Sequence, residues 1–159
     1  FIRRYGRNAA SSVPPVRKMI ELGLPVGLGT DGTRVASYNP WIALYWITTG
    51  KTIGGKQAMA KENTLDRLSA LKLMTTGSYS LIKDQSKGKL QKGFYADLVI
   101  LSKDYFSVPE EEIKTIHSVL TIVDGKIVYG AKAFETLAPG MPPIVPIWSP
   151  VKYYGGYQQ

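Results

Sequence analysis

The sequence predicts an α/β protein that continues into a small β-rich unit. Three observations lead to this prediction: a helix that runs into a buried strand near the N-terminus, two further helical segments, and a change to short β-rich runs after Lys83. A helix followed at once by a buried strand is one step of an α/β barrel or sheet. We therefore expect α/β units followed by a separate sheet.

The first step of this pattern covers residues 14–28. The spacing of its apolar residues predicts a short amphipathic helix over residues 14–22. Two prolines stand in its first turn, where a missing N–H costs little, and Gly23 is typical of a helix end. Residues 26–28 are then predicted to form a short buried strand.

Asp31 follows this predicted strand, within the sequence Gly-Thr-Asp-Gly of residues 29–32. Catalytic carboxylates of α/β barrels lie at the carboxyl ends of the strands. Asp31 is therefore a candidate catalytic residue. Asp-Gly is also common in turns, so this segment alone leaves a catalytic role and a plain turn role open.

Three more helices are predicted before residue 83. Asn39-Pro40 begins one that is apolar on nearly all sides and is expected to be buried. Another begins near Thr64, whose side chain is expected to cap it. Gly77 interrupts that helix, and a short one follows over residues 78–82.

The segment over residues 88–130 is predicted to be a small β-unit. Residues 96–101 form a compact apolar run that predicts a buried strand. Asp124-Gly125 joins two further β-rich runs, and Asp-Gly in that position strongly indicates a hairpin. These strands are too few to close a core of their own, so we expect a partner sheet.

Composition excludes several functional classes. The 159 residues contain no cysteine, which rules out disulfides, thiolate metal sites and a cysteine nucleophile. Apolar runs end well before the ~20 residues of a membrane helix. The net charge of +8 comes from dispersed lysines without a nucleic-acid-binding motif, so neither a nucleic acid nor a membrane is an expected partner. The chain begins at Phe1, and we expect it to be a piece of a longer polypeptide.

The order of these segments resembles the C-terminal third of the metal-dependent amidohydrolase superfamily. The resemblance runs from about Val13 to Tyr129 and is to the branch that includes N-substituted formamide deformylases and imidazolonepropionase-like hydrolases. It is carried by GTDG at residues 29–32, LSALKLMTTG at 68–77, GKLQKGFYADLVIL at 88–101 and VDGKIVYG at 123–130.

The resemblance implies a (β/α)8 barrel and a small composite β-sandwich built from segments before and after it. Residues 1–82 are then expected to form the last barrel units, with residues 26–28 as the eighth strand. Residues 83–136 would give the C-terminal strands of the sandwich. The fold is expected to be incomplete as given, since such a barrel needs about 250 residues. Independently of the resemblance, the proline- and tyrosine-rich residues 137–159 are either a floppy end or an ordered arm across the body, and the interleaved Ile144, Val145, Ile147 and Trp148 favour the arm.

The resemblance also implies a reaction and its residues. Asp31 corresponds to the aspartate that touches the metal and takes a proton from the attacking water, so it is the expected catalytic and metal-binding residue. The substrate is expected to be a small-molecule amide or cyclic amide, and the cofactor a divalent metal, in particular zinc. Candidates for substrate binding follow on the same loop, namely Thr30, Arg34, Tyr38 and Asn39.

The chain also departs from the family pattern. The metal-binding histidines and the bridging Lys or Glu have no counterpart, and the single histidine, His117, is expected to be a surface or packing residue. Because a catalytic zinc takes three protein ligands plus water, we expect this chain alone to bind no metal and to be inactive. The alternative is a non-catalytic domain that self-associates or binds a partner. Homo-oligomers fit either function, and localisation stays open, with the cytoplasm slightly favoured over export.

Overall fold

The computed structural model describes residues 2–32 and 37–140. In this part of the chain helices and a three-stranded antiparallel sheet combine, which agrees with the predicted α/β class at the coarse level. The barrel and the sandwich stay predictions. The helices are α1 (Ile2–Ser11), α2 (Val16–Glu21), α3 (Pro40–Thr49), α4 (Arg67–Lys72) and α5 (Ser78–Leu81), and the strands are β1 (Leu98–Leu101), β2 (Ser118–Val123) and β3 (Lys126–Gly130).

Shorter helical turns connect these elements. The prediction that Gly77 interrupts the helix is wrong, because a π-helical turn, Leu73–Gly77, joins α4 to α5 without a break. Three 3₁₀ helices cover Lys61–Asn63, Glu110–Thr115 and Lys132–Leu137. None of the helices within the described ranges has the length and hydrophobicity that crossing a membrane requires.

Helix α3 begins and ends where the sequence predicts. The Asn39 side-chain oxygen accepts a hydrogen bond from the Trp41 amide at 3.0 Å, and Pro40 occupies the first turn. Gly50, at φ +73°, ends the helix in a left-handed conformation. Helix α2 likewise ends before Gly23, which has φ +72°.

The prediction that Thr64 caps the next helix is wrong. Asp66 is the cap of α4, since its carboxylate accepts a hydrogen bond from the Ser69 amide at 2.9 Å. Thr64 instead ends the preceding 3₁₀ helix, where its hydroxyl donates to the Lys61 carbonyl at 2.7 Å. Thr64 and Asp66 are both residue types that form caps. Because Thr64 ends the preceding 3₁₀ helix, Asp66 is the residue that caps α4.

The prediction of a strand at residues 26–28 is also wrong. These residues are half-buried and irregular, and β1 to β3 are the only strands of the described residues. A strand requires a neighbouring strand for its backbone hydrogen bonds. The Leu28 backbone instead bonds to the helical turn of residues 73–78.

The predicted hairpin is confirmed. Strands β2 and β3 pair antiparallel, and their turn has positive φ at both Asp124 and Gly125, as a two-residue type I′ turn requires. Strand β1 pairs with β2 on the other side, so the order is β1-β2-β3. The prediction that β1 is buried is wrong, because Val99 and Ile100 are 49% and 41% exposed. Burial needs a covering layer, and the described residues leave part of this sheet uncovered.

One buried cluster joins the two halves of the chain. Helix α3 contributes four of its members, which pack against the 3₁₀ helix Glu110–Thr115 and the residues on either side of it. The largest side chains in this contact are Trp41, Leu44, Tyr45, Ile47, Tyr105, Ile113 and Ile116. The contact crosses the predicted boundary between residues 82 and 83, and the domain division itself stays a prediction.

Arg67 fixes the loop that leads into this contact. Its guanidinium donates hydrogen bonds to the carbonyls of Tyr105 and Val108, both at 2.6 Å. The Tyr105 hydroxyl donates in return to the Arg67 carbonyl at 3.0 Å. Burial raises the pKa of Tyr105 to about 12, so this hydroxyl keeps its proton at neutral pH.

Helix α1 has no counterpart in the predictions. All of it is exposed or half-buried, and Gly6, at φ +82°, breaks its regular geometry. It is attached where the Ala60 amide donates to the Ser11 carbonyl at 2.9 Å.

The Ile113→Ala variant tests the contact between the two halves. Ile113 is fully buried, so we expect its truncation to lower the free energy of unfolding by about 2–5 kcal/mol through lost burial and a residual cavity. Urea unfolding followed by circular dichroism measures this. Ile82→Ala is the matched control, since Ile82 is 70% exposed; equal effects of the two variants would contradict the packing described.

Candidate functional site

The segment that leads to Asp31 is attached to the helical turn of residues 73–78. The Leu28 amide donates a hydrogen bond to the Leu73 carbonyl at 3.0 Å, and the Ser78 hydroxyl donates to the Leu28 carbonyl at 3.1 Å. Both polar groups of the Leu28 backbone are thereby satisfied without a partner strand. Asp31 thus follows a segment that is fixed by hydrogen bonds to the helices.

The π-helical turn makes the Leu73 carbonyl available for this attachment. In such a turn the amide bonds to the carbonyl five residues back, which displaces the regular α-helical pairing. The Leu73 carbonyl accepts from the Ser78 amide and hydroxyl and also from the Leu28 amide. π-Helical turns of this kind are frequent at functional sites.

Two glycines permit the close approach of these segments. A Cβ atom at Gly27 would lie 2.7 Å from Cδ1 of Leu81 and 3.0 Å from the Ser78 Cα. A Cβ atom at Gly77 would lie 2.5 Å from the Val26 carbonyl oxygen. Side chains at either position would push the Asp31 segment away from the helices.

Asp31 is exposed and has a positive φ of 46°. Asp tolerates this left-handed conformation better than most residues, because its short polar side chain can bond locally. The Thr30 hydroxyl oxygen accepts from the Gly32 amide at 3.2 Å and so stabilises the turn. A Cβ atom at Gly32 would lie 2.8 Å from the Tyr38 Cα, so the loop returns close to its own start.

The other predicted site residues lie around this loop. Thr30 is half-buried and stabilises the turn, and Tyr38 is exposed. The Asn39 amide group caps α3 and also donates to the Ile116 carbonyl at 3.4 Å. Arg34 lies outside the described residues. The structure therefore places Thr30, Asp31, Tyr38 and Asn39 between Leu28 and α3, and their binding roles stay predictions.

An open pocket of about 290 Å³ adjoins the loop. One side is formed by residues 28–30 and by Ser37, which are the two ends of the Asp31 loop. The other side is formed by α3 and the turn after it, and most of the lining is apolar. The lining residues on that side are Ile42, Ala43, Tyr45, Trp46, Lys51, Thr52 and Ile53.

A cluster of charged groups that sequence analysis missed borders this pocket. The Glu111 carboxylate accepts hydrogen bonds from the Lys51 ammonium at 2.7 Å, the Lys114 ammonium at 3.0 Å and the Tyr45 hydroxyl at 2.9 Å. Lys114 also donates to the Ile53 carbonyl and lies over the Tyr45 ring. No local motif joins residues so far apart along the chain, so the sequence carried no signal for this cluster.

The cluster shifts the pKa values of its members. Hydrogen bonds from Lys51, Lys114 and Tyr45 lower the pKa of Glu111 to about 2. Burial, followed by the contact with Glu111, raises the pKa of Tyr45. Glu111 is therefore a carboxylate and Tyr45 a neutral hydroxyl at neutral pH. The cluster connects the wall of the pocket to the 3₁₀ helix Glu110–Thr115.

The described residues alone do not form a metal centre. Within residues 2–32 and 37–140, no three His, Cys, Asp or Glu side chains come close enough together to hold a metal ion. His117 is exposed, as expected for a surface residue, and its Nδ1 lies 3.2 Å from the Thr115 carbonyl oxygen. Asp31 is able to supply one carboxylate ligand, whereas a catalytic zinc takes three protein ligands.

Comparison with known proteins identifies the family. The sequence model of the amidohydrolase family matches residues 1–129. The chain belongs to the amidohydrolase family. This confirms the resemblance at the level of the superfamily, and the assignment to a particular branch stays a prediction.

Individual relatives cover most of this chain but little of their own length. YtcJ of Bacillus subtilis, assigned by name to the amidohydrolases, is 38% identical over 131 residues, which are 80% of this chain and 25% of YtcJ. The 5-methylthioadenosine/S-adenosylhomocysteine deaminases of Syntrophomonas wolfei and Thermotoga maritima are each 30% identical over 80% of the chain, and 31% and 32% of their lengths are covered. The chain therefore spans a quarter to a third of these relatives. No solved structure matches it significantly.

The Gly77→Ala variant tests the attachment of the Asp31 segment. The added Cβ would meet the Val26 carbonyl oxygen at 2.5 Å, and overpacking of this kind costs about 1–3 kcal/mol. Chemical denaturation is expected to show a net loss of stability, although alanine is the better helix former. Gly54→Ala is the control, because nothing lies within 4 Å of its Cβ position. A Gly77→Ala protein as stable as the control would refute the close approach.

The Glu111→Gln variant tests the charged cluster through pH. Because the pKa of Glu111 is lowered to about 2, its charge stabilises the fold above the unfolded pKa of about 4.3, and this stabilisation is lost as the pH falls toward 2. Urea midpoints are expected to be lower for the variant at pH 7, and the difference should shrink between pH 4.5 and pH 2. Glu110→Gln, on the same turn, is the control. A difference that is constant with pH would exclude an ionic role for Glu111.

Proposed function

We propose that this chain supplies the C-terminal part of a metal-dependent hydrolase that acts on C–N bonds other than peptide bonds. The substrate is a small-molecule amide or cyclic amide, and the nucleophile is water activated by the metal. The observation that carries this proposal is an exposed Asp31, three residues after a Leu28 whose backbone is hydrogen-bonded to the helices, in a chain of the amidohydrolase family.

Asp31 has two roles in this proposal. Its carboxylate is one ligand of a divalent metal, with zinc favoured, and it accepts the proton that the attacking water loses. The remaining ligands come from parts of the whole protein outside this chain, in line with the quarter to a third of its relatives that the chain spans. The chain by itself is then inactive.

Substrate recognition is assigned to the same loop. Thr30, Arg34, Tyr38 and Asn39 border the substrate, and the apolar pocket beside Thr30 is large enough to hold a small apolar substituent. Relatives whose names describe them as deaminases support hydrolysis of a C–N bond, because loss of an amino group breaks such a bond.

The decisive experiment uses the whole protein. The coding sequence upstream of Phe1 is read first, and an in-frame extension that carries a His-x-His pair is expected. The extended protein, loaded with zinc, is then assayed against a panel of small amides, cyclic amides and amino-substituted heterocycles. Hydrolysis that is lost with a chelator and restored by metal would support the proposal, whereas an extended protein with no hydrolytic activity on the panel would count against it.

The Asp31→Asn variant tests the proposed catalytic residue. Loss of a proton acceptor is expected to lower kcat by about 10²–10⁴-fold, with little change in stability because Asp31 is exposed. Asp124→Asn is a closely matched control, since Asp124 also precedes a glycine and has φ +51°. Similar kcat values for the two variants would remove Asp31 from the mechanism.

A second candidate function is a non-catalytic domain that self-associates. It is favoured by apolar side chains that are exposed on strand β1 and after α2, such as Val99, Ile100 and Leu22. Sedimentation of the 159-residue chain over a range of concentrations tests it. A stable oligomer, combined with an upstream sequence that lacks the His-x-His pair, would favour this function over hydrolysis.

A further inference from the structure

Ser78 is the one side chain, among the described residues, that bonds the backbone just before Asp31 to a helix. It is the first residue of α5 and is half-buried. Its hydroxyl oxygen lies 3.1 Å from the Leu28 carbonyl oxygen and 3.0 Å from the Leu73 carbonyl oxygen. A serine hydroxyl has a single proton to donate, so these two carbonyls compete for it.

The Leu28 carbonyl depends on this proton more than the Leu73 carbonyl does. The Leu73 oxygen already accepts from the amides of Leu28 and Ser78, and a carbonyl oxygen has two lone pairs. Within residues 2–32 and 37–140, the Leu28 carbonyl has no donor other than the Ser78 hydroxyl. Removal of the hydroxyl would therefore leave this half-buried acceptor unpaired, which is costly.

The helical stretch holds Ser78 against the Asp31 segment. The Ser78 amide donates to the Leu73 carbonyl across the π-helical turn. A Cβ atom at Gly27 would lie 3.1 Å from the Ser78 Oγ and 2.7 Å from the Leu81 Cδ1. Because Gly27 has no side chain, the hydroxyl reaches the carbonyl of the next residue directly.

The bond at Leu28 is close enough to Asp31 to affect its position. Among the described residues, Leu28 is the last one before Asp31 whose backbone is hydrogen-bonded to a helix. Nothing lies within 4 Å of the Cβ position of Gly29, so close packing there does not hold the backbone. The bond of the Thr30 hydroxyl, to the Gly32 amide, is internal to the turn. Three residues span at most about 11 Å, so a displacement of Leu28 is passed on to Asp31.

We propose that Ser78 is a positioning residue for Asp31. Its hydroxyl holds the Leu28 carbonyl and thereby sets where the Asp31 carboxylate lies when it accepts a proton from the attacking water. The role in the reaction rests on the proposed function of Asp31, whereas the hydrogen bond and its effect on the Asp31 backbone do not. A misplacement of about 1 Å at a reacting group costs about 100-fold in rate, so a bond outside the site is enough to govern the rate.

Ser80 provides a matched control on the same helix. Its hydroxyl also donates to a backbone carbonyl, that of Gly77 at 2.6 Å. This bond is internal to the helical stretch, and Ser80 is exposed. Ser78→Ala and Ser80→Ala thus remove the same chemical group from α5, and only the first removes a bond to the segment that leads to Asp31.

Nuclear magnetic resonance on the complete 159-residue chain tests the bond and its effect on Asp31. A carbonyl-carbon signal moves upfield when the carbonyl loses a hydrogen bond. We expect Ser78→Ala to move the Leu28 carbonyl signal upfield and to lower the ¹H–¹⁵N nuclear Overhauser effect of the Asp31 amide, and Ser80→Ala to do neither. Either quantity at its wild-type value in Ser78→Ala, or equal changes in the two variants, would overturn the proposal.

A second substitution keeps this test decisive. Circular dichroism shows whether Ser78→Ala folds. If it does not, Ser78→Cys takes its place, because a thiol resembles the hydroxyl in shape but is only a weak donor. The same two changes are expected of Ser78→Cys, and wild-type values for either would contradict the proposal in the same way.

Kinetics of the extended protein test the role in the reaction. Ser78→Ala is expected to lower kcat by about 10- to 100-fold with little change in KM, because only the step that uses Asp31 is affected. Ser80→Ala is expected to leave both constants unchanged. A wild-type kcat, or a raised KM with kcat unchanged, would overturn the positioning role.

The two experiments separate this proposal from the proposed function. A folded extended protein without hydrolytic activity counts against the proposed function alone. The Leu28 carbonyl signal and the Asp31 Overhauser effect still decide whether Ser78 positions Asp31, because both are measured without substrate or metal.

Discussion

The packing of α3 against the 3₁₀ helix Glu110–Thr115 holds the described parts of this chain together. The sheet has three strands and exposes apolar residues of β1, so it depends on contacts made outside its own strands. Tyr45 serves this contact twice, because its ring is fully buried while its hydroxyl donates to Glu111. The Asp31 loop ends at the Asn39 cap of the same helix, so the site and the sheet share one support.

The elements that the sequence predicted well are those with local signals. Asn39-Pro40 and Gly50 delimit α3, and Asp124-Gly125 joins β2 to β3, because cap and turn residues act within a few positions of the chain. The elements that it predicted wrongly depend on distant partners. Residues 26–28 have the composition of a buried strand, but the backbone of Leu28 is hydrogen-bonded to Leu73 and Ser78, which are distant along the chain.

The candidate site shows the same division. Asp31, Thr30, Tyr38 and Asn39 all lie between Leu28 and α3 because they are close in sequence, and that grouping was predictable. The pairing of Gly27 and Gly77 with their neighbours was not, since a glycine in the sequence does not reveal which atoms approach it. The Glu111 cluster likewise joins residues 45, 51, 111 and 114, and only the folded chain brings them together.

The hydrogen bond from the Leu28 amide to the Leu73 carbonyl has a consequence for how opening of the Asp31 segment is observed. An amide proton exchanges with solvent only when its hydrogen bond opens, so its exchange rate reports the local free energy of opening. The Leu28 amide is three residues from Asp31 and half-buried. It is therefore an intrinsic probe that follows detachment of the segment without substrate, metal or any added label.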